Sequence, residues 1–278
     1  MTTTSSEGIP RSEALAAAAA DLVFEPVDEG SEETPTAEQQ AGLILKNAKK
    51  LAAQKAARAT LAWLAQGKKK KVIAVGGLKG GVGKSTMAIY LALVYAVHYG
   101  LKVLLVDADP QSQTAYDWYR ITKKKGDPLP FDIETWPHAR VGDRIMEDTD
   151  GYDVVVVDCG GESADIFGSA VAVCDQVLFI TSPRKAEMRR IKGSLDGALS
   201  AAKHVGRLAE IEAFVAFTRV KSSRVSHNTA AREKIKNHGY DLLPAEIPDH
   251  VEYEDAMETC PKDLGHYLPL VETLEMTA

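Results

Sequence analysis

The sequence predicts a doubly wound α/β fold, a mostly parallel sheet flanked by helices on both faces. Three observations carry that expectation. From Val72 onward, short apolar runs alternate with helical stretches. The runs are filled continuously with Val, Ile and Leu, as in strands covered on both faces. The first run opens directly into a glycine-rich turn followed by a helix-forming segment.

In chain order the elements fall into three segments. Residues 1–40 hold nine acidic residues and one basic residue, with Pro10, Pro26 and Pro35 spaced through them. They contain too few large apolar side chains to offset the entropy of ordering, so a disordered acidic tail is expected. Residues 41–70 are strong helix formers without proline, and 41–71 hold nine basic residues and no acidic one. A basic helical extension that stops at Gly67 is expected there. Residues 71–278 form the α/β domain. Its expected strands are Val72–Val75, Val103–Val106, Asp153–Val157, Gln176–Ile180 and Ile211–Phe217, and its helices include Ser85–Tyr99, Glu187–His204 and Asn228–Asn237.

The 278 residues are 45% apolar and 26% charged, which excludes a mostly disordered or collagen-like chain. No apolar run approaches the roughly 18 residues of a membrane span. Cys159, Cys174 and Cys260 are odd in number and lack CxxC spacing, so free thiols in a reducing, cytoplasmic setting are expected. The net charge of −6 conceals an acid–base–acid order of blocks.

The most informative segment runs from Val75 to Thr86 and reads VGGLKGGVGKST. It lies between the first strand and a helix, the context of a phosphate loop. Gly80, Gly81 and Gly83 allow a sharp turn that aims backbone N–H groups at phosphate oxygens, and Val82 sits within it. The helix that follows places its positive end at the same spot. Lys84 is expected to neutralise the β- and γ-phosphates, Ser85 to coordinate Mg²⁺, and Thr86 to meet the α-phosphate.

Two strand ends supply acids. Leu104–Gln111 reads LLVDADPQ, and Asp107 and Asp109 lie two apart on an extended chain, pointing the same way. Asp107 is the expected orienter of the hydrolytic water and a metal ligand; Asp109 supports the loop and joins Gln111 in the nucleotide site. Val154–Gly161 reads VVVVDCGG and delivers Asp158 to the same edge as a further Mg²⁺ ligand.

These residues resemble the ParA/MinD family of P-loop ATPases with a deviant Walker A motif. The resemblance covers about Lys71 to the C-terminal end and is nearest to plasmid-type ParA partition proteins. It implies that Lys79, the extra lysine, reaches the nucleotide of the other subunit, so that ATP closes a homodimer. Catalytic work would then fall to Lys79, Lys84 and Asp107. It further implies an adenine pocket after the later strands, where Thr218-Arg219 and Pro248-Asp249 stand.

The resemblance implies a DNA-segregation ATPase, nucleoid-associated, that binds DNA nonspecifically and is released when a ParB-type centromere-binding partner triggers hydrolysis. Nonspecific holding calls for clustered basic residues. Two runs supply them, with Arg184, Lys185, Arg189 and Arg190 in the first and Lys221 and Arg224 in the second. The basic extension could add to that surface or pack on the domain. The alternative is a MinD-like positioning ATPase for a membrane or other cargo. Its membrane form calls for a basic amphipathic C-terminal helix, whereas no lysine or arginine follows Lys262, so no membrane attachment is expected.

Overall fold

The computed structural model describes residues 37–77, 81–161, 163–188, 191–204, 206–207 and 210–276. The chain separates into two units, residues 1–46 and 47–278. Of the tail expected over residues 1–40, residues 1–36 lie outside the described residues. Helix α1 (Ala37–Arg58) begins inside the segment read as tail and exposes Leu43, Ile44 and Leu45. The expected single helix to Gly67 is interrupted: α1 ends at Arg58, and a short turn α2 (Ala62–Ala65) follows. The Thr60 hydroxyl donates to the Ala57 carbonyl at 2.7 Å, taking a helix-end acceptor, and Leu61 and Trp63 turn into the core.

Seven strands, β1 (Lys71–Gly76), β2 (Val103–Asp107), β3 (Asp132–Thr135), β4 (Val154–Asp158), β5 (Gln176–Thr181), β6 (Glu212–Phe217) and β7 (Asp241–Leu242), form one sheet. Their order is β3-β2-β4-β1-β5-β6-β7, and every pairing is parallel. The doubly wound expectation is therefore met. The two edge strands β3 and β7 were not among the expected strands.

Helices cover both faces. On one side α3 (Lys84–Leu93), its continuation as a π-turn over Val94–His98, α4 (Thr114–Lys124) and α11 (Tyr267–Met276) pack with Leu105, Val156 and Leu178. On the other, α5 (Val141–Asp148), α6 (Ala164–Val173), α8 (Ile191–His204) and α9 (Val225–Asn237) pack with Leu104, Val155 and Phe179. Strands buried on both faces explain why their sequences lack alternation. Between β5 and α8 lies one turn of helix, α7 (Lys185–Met188), and α10 (Val251–Asp255) precedes α11.

The start of β1 is sealed by a charged cluster. Lys71 Nζ meets Glu275 Oε1 at 2.7 Å, the Tyr95 hydroxyl donates to the same oxygen, and all three side chains are buried. Burial drives the Lys71 ammonium below its ordinary value, opposed by the Glu275 charge. The apolar side chains Leu270, Val271 and Leu274 of α11 are wholly buried in this core.

Candidate functional site

Strand order builds the site. β1 lies between β4 and β5, and β4 lies between β1 and β2, so the loop after β1 emerges beside the ends of β2 and β4. The register pairs Asp107 with Asp158 and Asp158 with Val75. Two acids far apart in sequence thereby stand next to each other at the mouth of the phosphate loop. Backbone bonds tie the three ends together: Ala108 N–H donates to Asp158 O at 3.0 Å, and Cys159 N–H to Val75 O at 2.9 Å.

The described part of the phosphate loop has the expected shape. Gly81 and Gly83 adopt φ of +79° and +90°, and Gly83 is the residue before α3, whose N-terminus faces the loop. Lys84 is buried, and Thr86 and Val82 line a groove beside the loop. A Cβ on Gly77 would sit 2.5 Å from the Ile180 carbonyl oxygen, so only glycine lets the chain enter the loop here. Lys79 and Gly80 lie outside the described residues.

The acids differ in their surroundings. Asp107 is wholly buried and both of its oxygens accept backbone amides, Oδ1 from Asp109 at 3.1 Å and Oδ2 from Tyr116 at 3.0 Å. Burial raises its carboxyl, and the amide bonds oppose that rise. Asp107 therefore organises the start of α4. Asp109 is half-exposed; its Oδ1 accepts Gln111 N–H at 2.9 Å and its Oδ2 accepts the Ser112 hydroxyl at 2.8 Å. Gln111 itself is exposed on this turn. Gly160 closes against Asp109, since a Cβ there would lie 2.8 Å from the Asp109 carboxyl carbon.

Asp158 is buried, and its Oδ2 has no hydrogen-bond partner among the described residues. Burial first, and then the Asp107 charge, push its carboxyl up to about 7, against a hydrogen bond from Ser85 and the Lys84 charge. A buried carboxylate oxygen without a partner, beside a serine hydroxyl and a second acid, fits a hard divalent cation held by oxygen ligands.

The residues expected at the adenine are divided by the structure. Arg219, Pro248 and Asp249 line the same groove as Thr86, joined by His250 and Tyr253, which sequence reasoning missed. Thr218 is buried at the foot of this groove, and its hydroxyl donates to Val82 O at 2.6 Å. It braces the phosphate loop, and its donor is engaged there instead of at a base.

The basic runs, separate in sequence, converge. Arg184 and Lys185 after β5 share a groove with Arg219, Lys221 and Arg224 before α9. Glu187, the one acid in the first run, turns inward and accepts Ser182 N–H at 2.8 Å. Lys221 is less available than its sequence suggests, because it pairs with Asp249 at 3.2 Å. Arg189 and Arg190 lie outside the described residues.

A glycine-rich turn between a parallel strand and a helix, with two acids registered beside it, defines a P-loop nucleotide-binding domain. The family model for the CobQ/CobB/MinD/ParA nucleotide binding domain matches residues 73–259, and the chain belongs to that family. A stretch of 120 residues is 36% identical to maintenance of carboxysome distribution protein A of Gloeobacter kilaueensis, covering 42% of this chain and 52% of that protein. The match thus spans about half the length of that relative. A protein of Borrelia burgdorferi B31 assigned to plasmid partition and bound to AMPPNP superposes with a TM-score of 0.61 at 19% identity, over 76% of this chain and 100% of that one. The septum site-determining protein MinD of Pyrococcus horikoshii, complexed with Mg-ADP, gives 0.54 at 18% identity, over 74% and 96%. Among the described residues no helix is long and apolar enough to cross a membrane.

Proposed function

We propose that this chain is a Mg²⁺-dependent ATPase of the ParA type that dimerises on ATP and holds DNA nonspecifically. The observation that carries this reading is the meeting of two grooves on one edge of the domain, with Arg219 in the walls of both. One groove leads from the phosphate loop, and the other is basic.

In this reading the α3 N-terminus and Lys84 hold the phosphates, and Ser85 and Asp158 hold Mg²⁺ with Asp107 behind them. The metal supplies charge neutralisation on the phosphate oxygens. Asp107, the carboxylate expected at the hydrolytic water, is wholly buried and bonded to the amides of Asp109 and Tyr116. The half-exposed Asp109 fits that role better, with Asp107 as the residue that positions its turn. Lys79 completes the site across the ATP dimer, which keeps turnover slow until a partner acts. Pro248, Asp249 and the aromatic wall at Tyr253 receive the base.

Arg184, Lys185 and Arg224, all exposed, face DNA phosphates. The cellular role proposed is segregation of a DNA cargo over the nucleoid in the cytoplasm, with a ParB-type partner that triggers hydrolysis. A second reading, positioning of a protein cargo, is favoured by the 36% identity to a carboxysome-distribution protein. Membrane positioning through the C-terminal helix is not favoured, because the apolar face of α11 is already packed in the core.

The test is ATP hydrolysis and duplex-DNA binding across a salt series, with and without Mg²⁺. Metal-dependent hydrolysis together with DNA affinity that falls steeply with salt is expected. DNA binding indifferent to salt, or hydrolysis that persists in EDTA, would overturn the reading.

A further inference from the structure

After β6 the chain leaves the sheet as Thr218–Lys221, and these four residues touch three places. Thr218 braces the phosphate loop at Val82. Arg219, in the uncommon left-handed region at φ +52°, lines both grooves. Val220 is laced to the neighbouring segment: its N–H donates to Ile247 O at 3.1 Å, and Asp249 N–H donates to Val220 O at 3.1 Å. That lacing holds Lys221 against Asp249, Nζ to Oδ2 at 3.2 Å. Lys221 belongs to the wall of the basic groove and Asp249 to the wall of the base-side groove. One ion pair therefore spans the two.

We infer that the Lys221–Asp249 pair is a charge gate linking nucleotide and DNA within a single subunit; this rests on the functional reading above. While the pair is closed, Asp249 neutralises Lys221 and the basic groove lacks that charge. A nucleotide that uses Asp249 as a hydrogen-bond acceptor loosens the pair and releases Lys221 to a DNA phosphate. Linkage requires the converse, so a phosphate that draws Lys221 away frees Asp249 for nucleotide, and each ligand tightens the other by one factor. The side chains are 48% and 25% exposed, so the factor is modest, about two- to fivefold.

The test compares the full chain with Asp249→Asn, with Lys221→Gln and with the double variant, all nucleotide-free, by anisotropy of a labelled random-sequence duplex across a salt series. Asp249→Asn is expected to raise DNA affinity two- to fivefold. It should also steepen the slope of log K against log salt by about 0.9, the signature of one added phosphate contact. Adding Lys221→Gln should return the slope to that of the parent, which a merely structural change would not do. An unchanged slope in a folded Asp249→Asn protein that still binds both duplex and Mg-AMPPNP overturns the gate alone. A parent that binds neither ligand overturns the functional reading and the gate with it.

Discussion

Gly160→Ala isolates the role of Asp109 without touching it. Gly160 is not among the residues with positive φ, so alanine fits the backbone, and the only new element is the methyl group. That methyl would sit 2.8 Å from Asp109 Cγ and Oδ1 and 3.2 Å from Oδ2. Ordinary carbon contacts begin near 3.5 Å, so the carboxylate must retreat by about 0.7 Å. It cannot do so freely, because Gln111 N–H and the Ser112 hydroxyl hold its two oxygens at 2.9 and 2.8 Å. The retreat strains one or both bonds, and overpacking of this kind costs about 1–3 kcal/mol of stability.

The effect on hydrolysis should be larger than the effect on folding. A displacement near 1 Å at a group that positions a reactant lowers turnover by about a hundredfold. Phosphate release at saturating Mg-ATP is expected to fall about 10- to 100-fold. Affinity for a fluorescent ATP analogue should stay near the parental value, because Lys84 and the α3 N-terminus are not displaced. Thermal melting would establish that the variant is folded. Turnover within twofold of the parent in a folded protein refutes the assignment of the water to Asp109.

Three further tests probe other parts of the fold. Thr218→Val removes the hydroxyl that donates to Val82 O at 2.6 Å, leaving a buried carbonyl unpaired; nucleotide affinity should weaken about tenfold by calorimetry, with Thr218→Ser close to the parent. Lys71→Met leaves Glu275 buried without its cation, and urea unfolding should show a loss of about 3–5 kcal/mol, with nucleotide affinity retained because the cluster sits at the far end of β1 from the phosphate loop. Cys159 and Cys174 are fully buried, and burial pushes both thiols up, that of Cys174 to about 12. Neither should react with a thiol reagent in the native protein, and both should react in urea; rapid native labelling of either by mass spectrometry would contradict the packing.

Much of the sheet was legible because its central strands are runs such as Val154–Val157, whose burial on both faces leaves no room for polar alternation. The edges were not. β3 reads Asp-Ile-Glu-Thr with Ile133 alone fully inward, and β7 is two residues long, so neither carries a continuous apolar signal. The same contrast runs through the site. Gly81, Gly83 and Lys84 act through their spacing along one turn, which sequence displays directly. Thr218 acts through Val82, 136 residues away, and His250 and Tyr253 reach the groove from the start of α10, five residues too short to show a helical period. Residues whose role is set by a distant partner leave no mark in local sequence.

In the proposed function, charge placement favours an ATP dimer over one subunit as the form that holds DNA. The two basic runs are rich in lysine and arginine, but pairing removes part of that charge: Lys192 meets Asp196 at 2.5 Å, Arg232 meets Glu246 at 2.5 Å, and Lys221 meets Asp249 at 3.2 Å. Among the described residues, the exposed basic side chains at the groove that are not in an ion pair with Asp249 are Arg184, Lys185 and Arg224. Three phosphate contacts give a salt slope of about −2.7 and little total binding energy, so a single subunit would hold DNA weakly. Two subunits joined through ATP present six such contacts and a slope of about −5.4, and the second set binds at the high effective concentration set by the first. This gain adds to the modest one that release of Lys221 from Asp249 would give within each subunit. In the proposed function, joining two weak grooves would give a tighter and more steeply salt-dependent hold, and hydrolysis, by separating them, would release the DNA.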